Sequence, residues 1–176
     1  FVWDGYREIG IDHFAKPEDG MARAHAAGRL RRNFQGYTDD TASALIGIGA
    51  SSISRFPQGF AQNASATAAH VKAIREGRFS AHKGHRFSGE DTLRARIIEA
   101  LMCDFAVRRE ELLANFATTD ARLDELFGAA KAVFGDMVRV TDEGFFIPER
   151  ARPLTRMIAR AFDAYDSAQA RHSSAV

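Results

Sequence analysis

The sequence predicts an α+β protein in two parts, and three observations carry that expectation. Over the first half, short extended segments alternate with helical ones. Through the second half, apolar residues recur mostly at helical spacing, interrupted by one hairpin before a closing helix. The charge balance also changes sign: residues 1–87 hold 12 Lys/Arg against 8 Asp/Glu, while residues 88–166 hold 11 against 15. This places a boundary at 87/88, after a polar loop with Ser80, His82, Lys83, Gly84, His85 and Arg86. The expected domains are therefore 1–87 and 88–176.

In the first part, residues 6–11 read as a strand entering the corner Asp12-His13-Phe14. Pro17, Glu18 and Asp19 suit a helix entry, and Gly28 a helix end, around Met21, Ala22, Ala24 and Ala26. Residues 34–37 form a second short strand or loop, and residues 44–48 a third. Residues 63–75 are predicted helical, with Ala64, Ala68, Val71 and Ile74 on one face and Gly77 at the end. Alternation of this kind favours parallel strands.

The second part opens on Ser88-Gly89-Glu90-Asp91, a helix start with acids in its first turn. Leu93, Ile97, Leu101 and Phe105 follow at four-residue spacing, beside Ile98 and Met102. A short helix over 109–116 comes next. Thr119-Asp120 then caps a helix carrying Leu123, Leu126, Phe127, Ala130, Val133 and Phe134, which Gly135 ends. Residues 137–141 and 145–147 make a hairpin about Asp142-Glu143-Gly144. A last helix carries Leu154, Ile158, Phe162 and Tyr165, with residues 171–176 frayed. Three helices, a hairpin and a closing helix read as a winged-helix-like module.

Composition narrows the function. At 45% hydrophobic and 27% charged, 176 residues can bury a core. No run approaches the roughly 20 apolar residues of a membrane span, and no secretory leader is visible. The single cysteine, Cys103, excludes a disulfide framework, fits a reducing cytoplasm, and lies beside an apolar stripe as an inert buried thiol. One cysteine also cannot hold an iron–sulfur cluster by itself. The first residue is Phe1, and the opening reads as entering mid-element, as in a piece of a longer chain. Nucleic acid is a natural partner for a winged helix, but helix 120–134 holds Asp120, Asp124 and Glu125 against Arg122 and Lys131. With Asp142-Glu143 at the hairpin tip, both elements that would meet phosphate are acidic, so no nucleic-acid partner is expected. His82 and His85 lack Cys or acidic neighbours at metal-ligand spacing, so no metal site is assigned. Gly47 and Gly49 lack the rest of a dinucleotide fingerprint.

Three ordered motifs go further. Ile9-Gly10-Ile11-Asp12-His13-Phe14-Ala15-Lys16-Pro17, Leu30-Arg31-Arg32-Asn33-Phe34-Gln35-Gly36-Tyr37-Thr38 and Gly47-Ile48-Gly49-Ala50-Ser51-Ser52-Ile53-Ser54, with Ala61-Gln62-Asn63, resemble oxygen-independent coproporphyrinogen III oxidase, a radical S-adenosylmethionine enzyme of haem biosynthesis. The Phe34 to Thr38 segment favours this enzyme over its haem-chaperone-like paralogue. The resemblance implies a TIM-like barrel whose last strands and helices fill 1–87, followed by a helical C-terminal domain. It also implies a [4Fe–4S] cluster on a Cys-x3-Cys-x2-Cys loop, bound S-adenosylmethionine and an electron donor. The implied reaction uses a 5′-deoxyadenosyl radical to turn two propionates of coproporphyrinogen III into vinyls, giving protoporphyrinogen IX.

This sequence lacks the cysteine motif, so the piece alone is expected to be inactive. On the family's pattern, Phe34, Gln35 and Ile53 match cofactor-binding positions. Asp12 and His13, at a strand end, are substrate-pocket candidates, with a structural histidine bonded to backbone as the alternative for His13; Arg29, Arg31 and Arg32 read first as a solvated basic face, with attraction of a tetracarboxylate substrate as the alternative. The alternatives are a stand-alone binding or regulatory module and the haem-chaperone paralogue.

Overall fold

The computed structural model describes residues 1–165; the frayed end expected at 171–176 lies outside them. These residues divide into two compact units, 1–39 with 90–165, and 40–89. The composition boundary at 87/88 thus falls beside the junction at 89/90, while residues 1–39 pack with the C-terminal segment.

In the first unit, β1 (Arg7–Ile9) and β2 (His13–Ala15) form a hairpin around the Asp12 corner, with Ile9 opposite His13. Helix α1 (Gly20–Ala26) follows, with Asp19 Oδ1 accepting the Met21 N–H at 2.8 Å, as its acidic entry predicts. A second hairpin pairs β3 (Arg31–Asn33) with β4 (Gly36–Thr38).

Helix α3 (Asp91–Asp104) buries Leu93, Ile97 and Leu101, the expected stripe, and ends on Phe105 in a left-handed conformation, φ 56°. Strand β8 (Ala106–Arg108), α4 (Arg109–Asn115) and α5 (Asp120–Phe134) lead to the hairpin of β9 (Arg139–Thr141) and β10 (Gly144–Phe146). Their sheet runs β8-β10-β9, all antiparallel. Thr119 Oγ1 accepts the Arg122 N–H at 3.2 Å and caps α5 as expected. A 3-10 turn over Glu149–Leu154 enters α6 (Thr155–Arg160). Ile158 and Phe162 are buried, whereas Tyr165 is largely exposed and lies past the helix. Phe127, Phe145 and Phe162 form the centre of this core, with ring centroids 5.2–6.3 Å apart.

The second unit is a three-stranded sheet, β5 (Ile53–Phe56), β6 (Gly59–Asn63) and β7 (Ala81–Arg86), with α2 (Thr67–Arg75) between its last two strands. Three expectations are corrected here. Residues 44–48 are no strand beyond one bridge, Leu45 to Arg55. The helix begins at Thr67, because Asn63 is taken by β6, and it buries Ala73 while leaving Ile74 exposed. The polar stretch around His82 and Lys83 is a strand, not a loop. Among the described residues every strand pair is antiparallel, which overturns the parallel expectation. The β1–β2, β3–β4 and β5–β6 links are far shorter than the dozen or so residues a parallel crossover needs.

Candidate functional site

The Asp12-His13 corner is held from both sides. A carboxylate can only accept, so His13 Nδ1 donates to Asp12 Oδ1 at 2.8 Å, and Arg156 donates to Oδ2 at 2.6 Å. The hydrogen bond from His13, together with the Arg156 charge, holds the Asp12 carboxyl below its ordinary range. With Nδ1 fixed as donor, the exchangeable position of the ring is Nε2. It faces Gly36, where an added Cβ would lie 3.4 Å away. The imidazole stands edge-on to Tyr37, with centroids 5.0 Å apart. This arrangement can take up or release a proton at Nε2 while Asp12 orients the ring.

Phe34 and Gln35 form the tip of the β3–β4 hairpin, beside that histidine. Asn33 Oδ1 accepts from the Gln35 N–H at 2.8 Å and the Gly36 N–H at 3.2 Å, which closes the two-residue loop. Both tip side chains are exposed, Phe34 at 52%. The fold thus brings the two predicted motifs of this unit together. Arg32, expected on a basic face, instead lies over the Tyr37 ring at 5.5 Å.

Ile53 opens β5 in the second unit, half-buried and paired with Gln62. The loop before it is pinned by the carboxamides of β6. Asn63 Nδ2 donates to Gly49 O at 2.9 Å and Gly47 O at 3.3 Å, and Gln62 Nε2 donates to Ser51 O at 3.0 Å. Gly47 donates its N–H to Ser54 Oγ at 3.0 Å. A Cβ at Gly47 would meet Ser52 Cβ at 2.8 Å and Ile53 O at 2.9 Å. Small residues stand here because the loop folds against its own backbone, and Ile48 at its turn is left exposed. Gln62 and Asn63 carried no role in the sequence; their bracing contacts span 11 to 16 residues, so only the motif match singled them out.

Cys103 is fully buried, and burial pushes its thiol up to about 12. Among the described residues, no group of three or more His, Cys, Asp or Glu is placed to hold a metal ion. No helix among them is long and apolar enough to cross a membrane.

No family model matches the chain. Proteins named oxygen-independent coproporphyrinogen III oxidase do match it: one from Paracoccus denitrificans is 60% identical over 176 residues, covering 100% of this chain. Another from Cereibacter sphaeroides is 55% identical over 166 residues, covering 94%. The chain spans 39% and 37% of the length of these two curated relatives. Among solved structures, coproporphyrinogen III oxidase (HemN) from Escherichia coli, a radical SAM enzyme, matches with a TM-score of 0.83 and 29% identity, over 93% of this chain and 38% of that one. The resemblance carried by the three motifs therefore extends along the chain, and the α+β fold matches part of HemN.

Proposed function

We propose that this chain is part of an oxygen-independent coproporphyrinogen III oxidase. The parent would be a radical SAM oxidoreductase that decarboxylates two propionates of coproporphyrinogen III to vinyls in haem biosynthesis. The observation that carries this reading is the 60% identity over all 176 residues. On it, residues 1–87 belong to the C-terminal part of the barrel, as antiparallel hairpins rather than its parallel strands, and residues 88–176 to the helical C-terminal domain. The short hairpins keep open edges that strands from the rest of the parent can extend. The order of α3, β8, α4, α5 and the β9–β10 hairpin supports a winged-helix-like description.

The described residues do not fit the iron–sulfur cluster, since the one cysteine is buried with its thiol protonated. The cluster and its electron donor belong, on this reading, to or beside the rest of the parent. The residues do fit S-adenosylmethionine in kind: Phe34 offers an exposed ring, Gln35 an exposed amide and Ile53 an apolar branched surface. In the parent, that cofactor would supply the oxidising chemistry, while the Asp12–His13 pair would hold or pass a proton at Nε2.

The test is anaerobic turnover by the protein at the full length of its relatives, with S-adenosylmethionine, a reductant and coproporphyrinogen III. Protoporphyrin IX recovered after oxidation is the expected result. No product from a cluster-loaded, reduced protein overturns the reading.

A further inference from the structure

The register of the second unit aligns one proposed cofactor residue, Ile53, with residues that the proposed site does not use. Ile53, Gln62 and Lys83 are cross-strand neighbours in one row, and Arg55, Phe60 and His85 in a row two residues along. Side chains two apart on a strand share a face, so both rows project from the same side of the β5-β6-β7 sheet. Arg55 and Lys83 stand on its two outer strands, with the Phe60 ring on the strand between them. Both cations are exposed, and neither makes an ion pair among the described residues. From strand spacing and rise, their Cα atoms lie roughly 12 Å apart. The unit as a whole is basic, with Arg55, Lys72, Arg75, Arg78, Lys83 and Arg86 against Asp40 and Glu76.

We infer that this sheet face is a binding surface for a tetrapyrrole polycarboxylate, with Arg55 and Lys83 each engaging a carboxylate and Phe60 contacting the apolar ring system between them. The charge complementarity is direct: two cations separated by the Phe60 ring and the Gln62 carboxamide match an apolar macrocycle that carries acids on its rim. The same face carries Ile53, one of the proposed cofactor residues, which would set substrate and cofactor side by side. The inference rests on the proposed function for its choice of ligand.

The experiment titrates the full-length protein with coproporphyrin III, a stable tetra-acid, by fluorescence, and repeats the titration with its tetramethyl ester. The wild type is expected to bind the acid and to discriminate against the ester. Arg55→Gln/Lys83→Gln should weaken acid binding about tenfold, while Arg55→Lys/Lys83→Arg should stay within about threefold of wild type. Lys72→Gln/Arg75→Gln on α2 removes the same net charge elsewhere and should leave binding unchanged. Equal weakening in both neutralised pairs, no weakening in Arg55→Gln/Lys83→Gln, or no preference for the acid overturns the inference. S-adenosylmethionine binding measured on the same variants separates the two readings: its retention beside unaltered porphyrin binding refutes the sheet face alone.

Discussion

The Tyr37 hydroxyl donates to the carbonyl of Met102 at 2.8 Å and accepts the Ile11 N–H at 3.0 Å. One phenol therefore joins the turn before Asp12 to the last turn of α3, and burial pushes its pKa up from the ordinary phenol value. Its ring also explains a glycine, because a Cβ at Gly10, where φ is +58°, would collide with it. Tyr37→Phe leaves a backbone donor and a carbonyl unpartnered and should cost about 1–3 kcal/mol, read as a lower urea midpoint with an unchanged slope. An unchanged midpoint would show that water replaces the phenol at no cost.

The Phe127, Phe145 and Phe162 cluster makes a larger prediction. Phe145 is fully buried at the junction of the β10 strand with α5 and the segment after α6. Phe145→Ala should destabilise by about 3–5 kcal/mol, whereas Phe146→Ala, half-buried on the same strand, should cost clearly less. Equal losses in thermal or urea unfolding would contradict this account of the core.

Cys103 gives a pH dependence with a definite sign. Its folded pKa rises from 9.0 to about 12, so the neutral buried thiol contributes fully below about 9. That contribution is lost as pH climbs from 9 toward 12, because only the unfolded chain ionises there, at up to about 1.4 kcal/mol per pH unit. The stability difference between wild type and Cys103→Ala should narrow over that window and stay flat below it. At pH 8 the native thiol should resist a water-soluble disulfide reagent until denaturant is added.

Asp12 has the opposite sign. Its lowered pKa means that its pairing stabilises above the ordinary carboxylate pKa, about 4, and is lost as pH falls below it. As an exposed pair it should contribute within about 1 kcal/mol. Asp12→Asn should therefore be slightly less stable than wild type at pH 7 and indistinguishable from it near pH 2.

These relationships mark what was readable in the chain. The α3 stripe, the α5 stripe apart from the exposed Val133, the Thr119 cap and the turn at Asp142-Glu143 are legible because local spacing and burial agree there. Strand β7 was not, because Ala81-His82-Lys83-Gly84-His85-Arg86 has no apolar alternation and is held by pairing to β6 alone. Strand β8 was missed because three residues are too few to show a period. At the site, Asp12 and His13 could be singled out by type and position. The oriented tautomer, the Gly36 approach and the Asn63 brace are set by contacts between segments, which spacing cannot reveal.

Ile53 links the motif match to chemistry. It is half-buried, so Ile53→Asp would place a carboxylate in the apolar surface proposed to meet the cofactor. In the full-length enzyme this variant should lose turnover and S-adenosylmethionine binding while keeping its far-ultraviolet dichroism. Wild-type turnover in that variant would remove Ile53 from the site.

The α5 surface settles how its charges are spent. Arg109 bonds Asp120 and Asp124 at 3.1 and 2.7 Å, Arg122 is engaged by Glu90 and Glu125, and Lys131 donates to the carbonyls of Gly135 and Val138. Both cations on the helix are thus committed to neighbours, and Asp142 and Glu143 stand at the turn between β9 and β10. A phosphate backbone would have to break these pairs before gaining a counterion. Arg122→Gln/Lys131→Gln should therefore leave the chain's affinity for a duplex DNA fragment unchanged at about 0.15 M salt. Reversing Asp120, Asp124 and Glu125 to Lys should add binding that falls steeply as salt rises, and a loss of affinity in Arg122→Gln/Lys131→Gln would show that these cations meet phosphate after all.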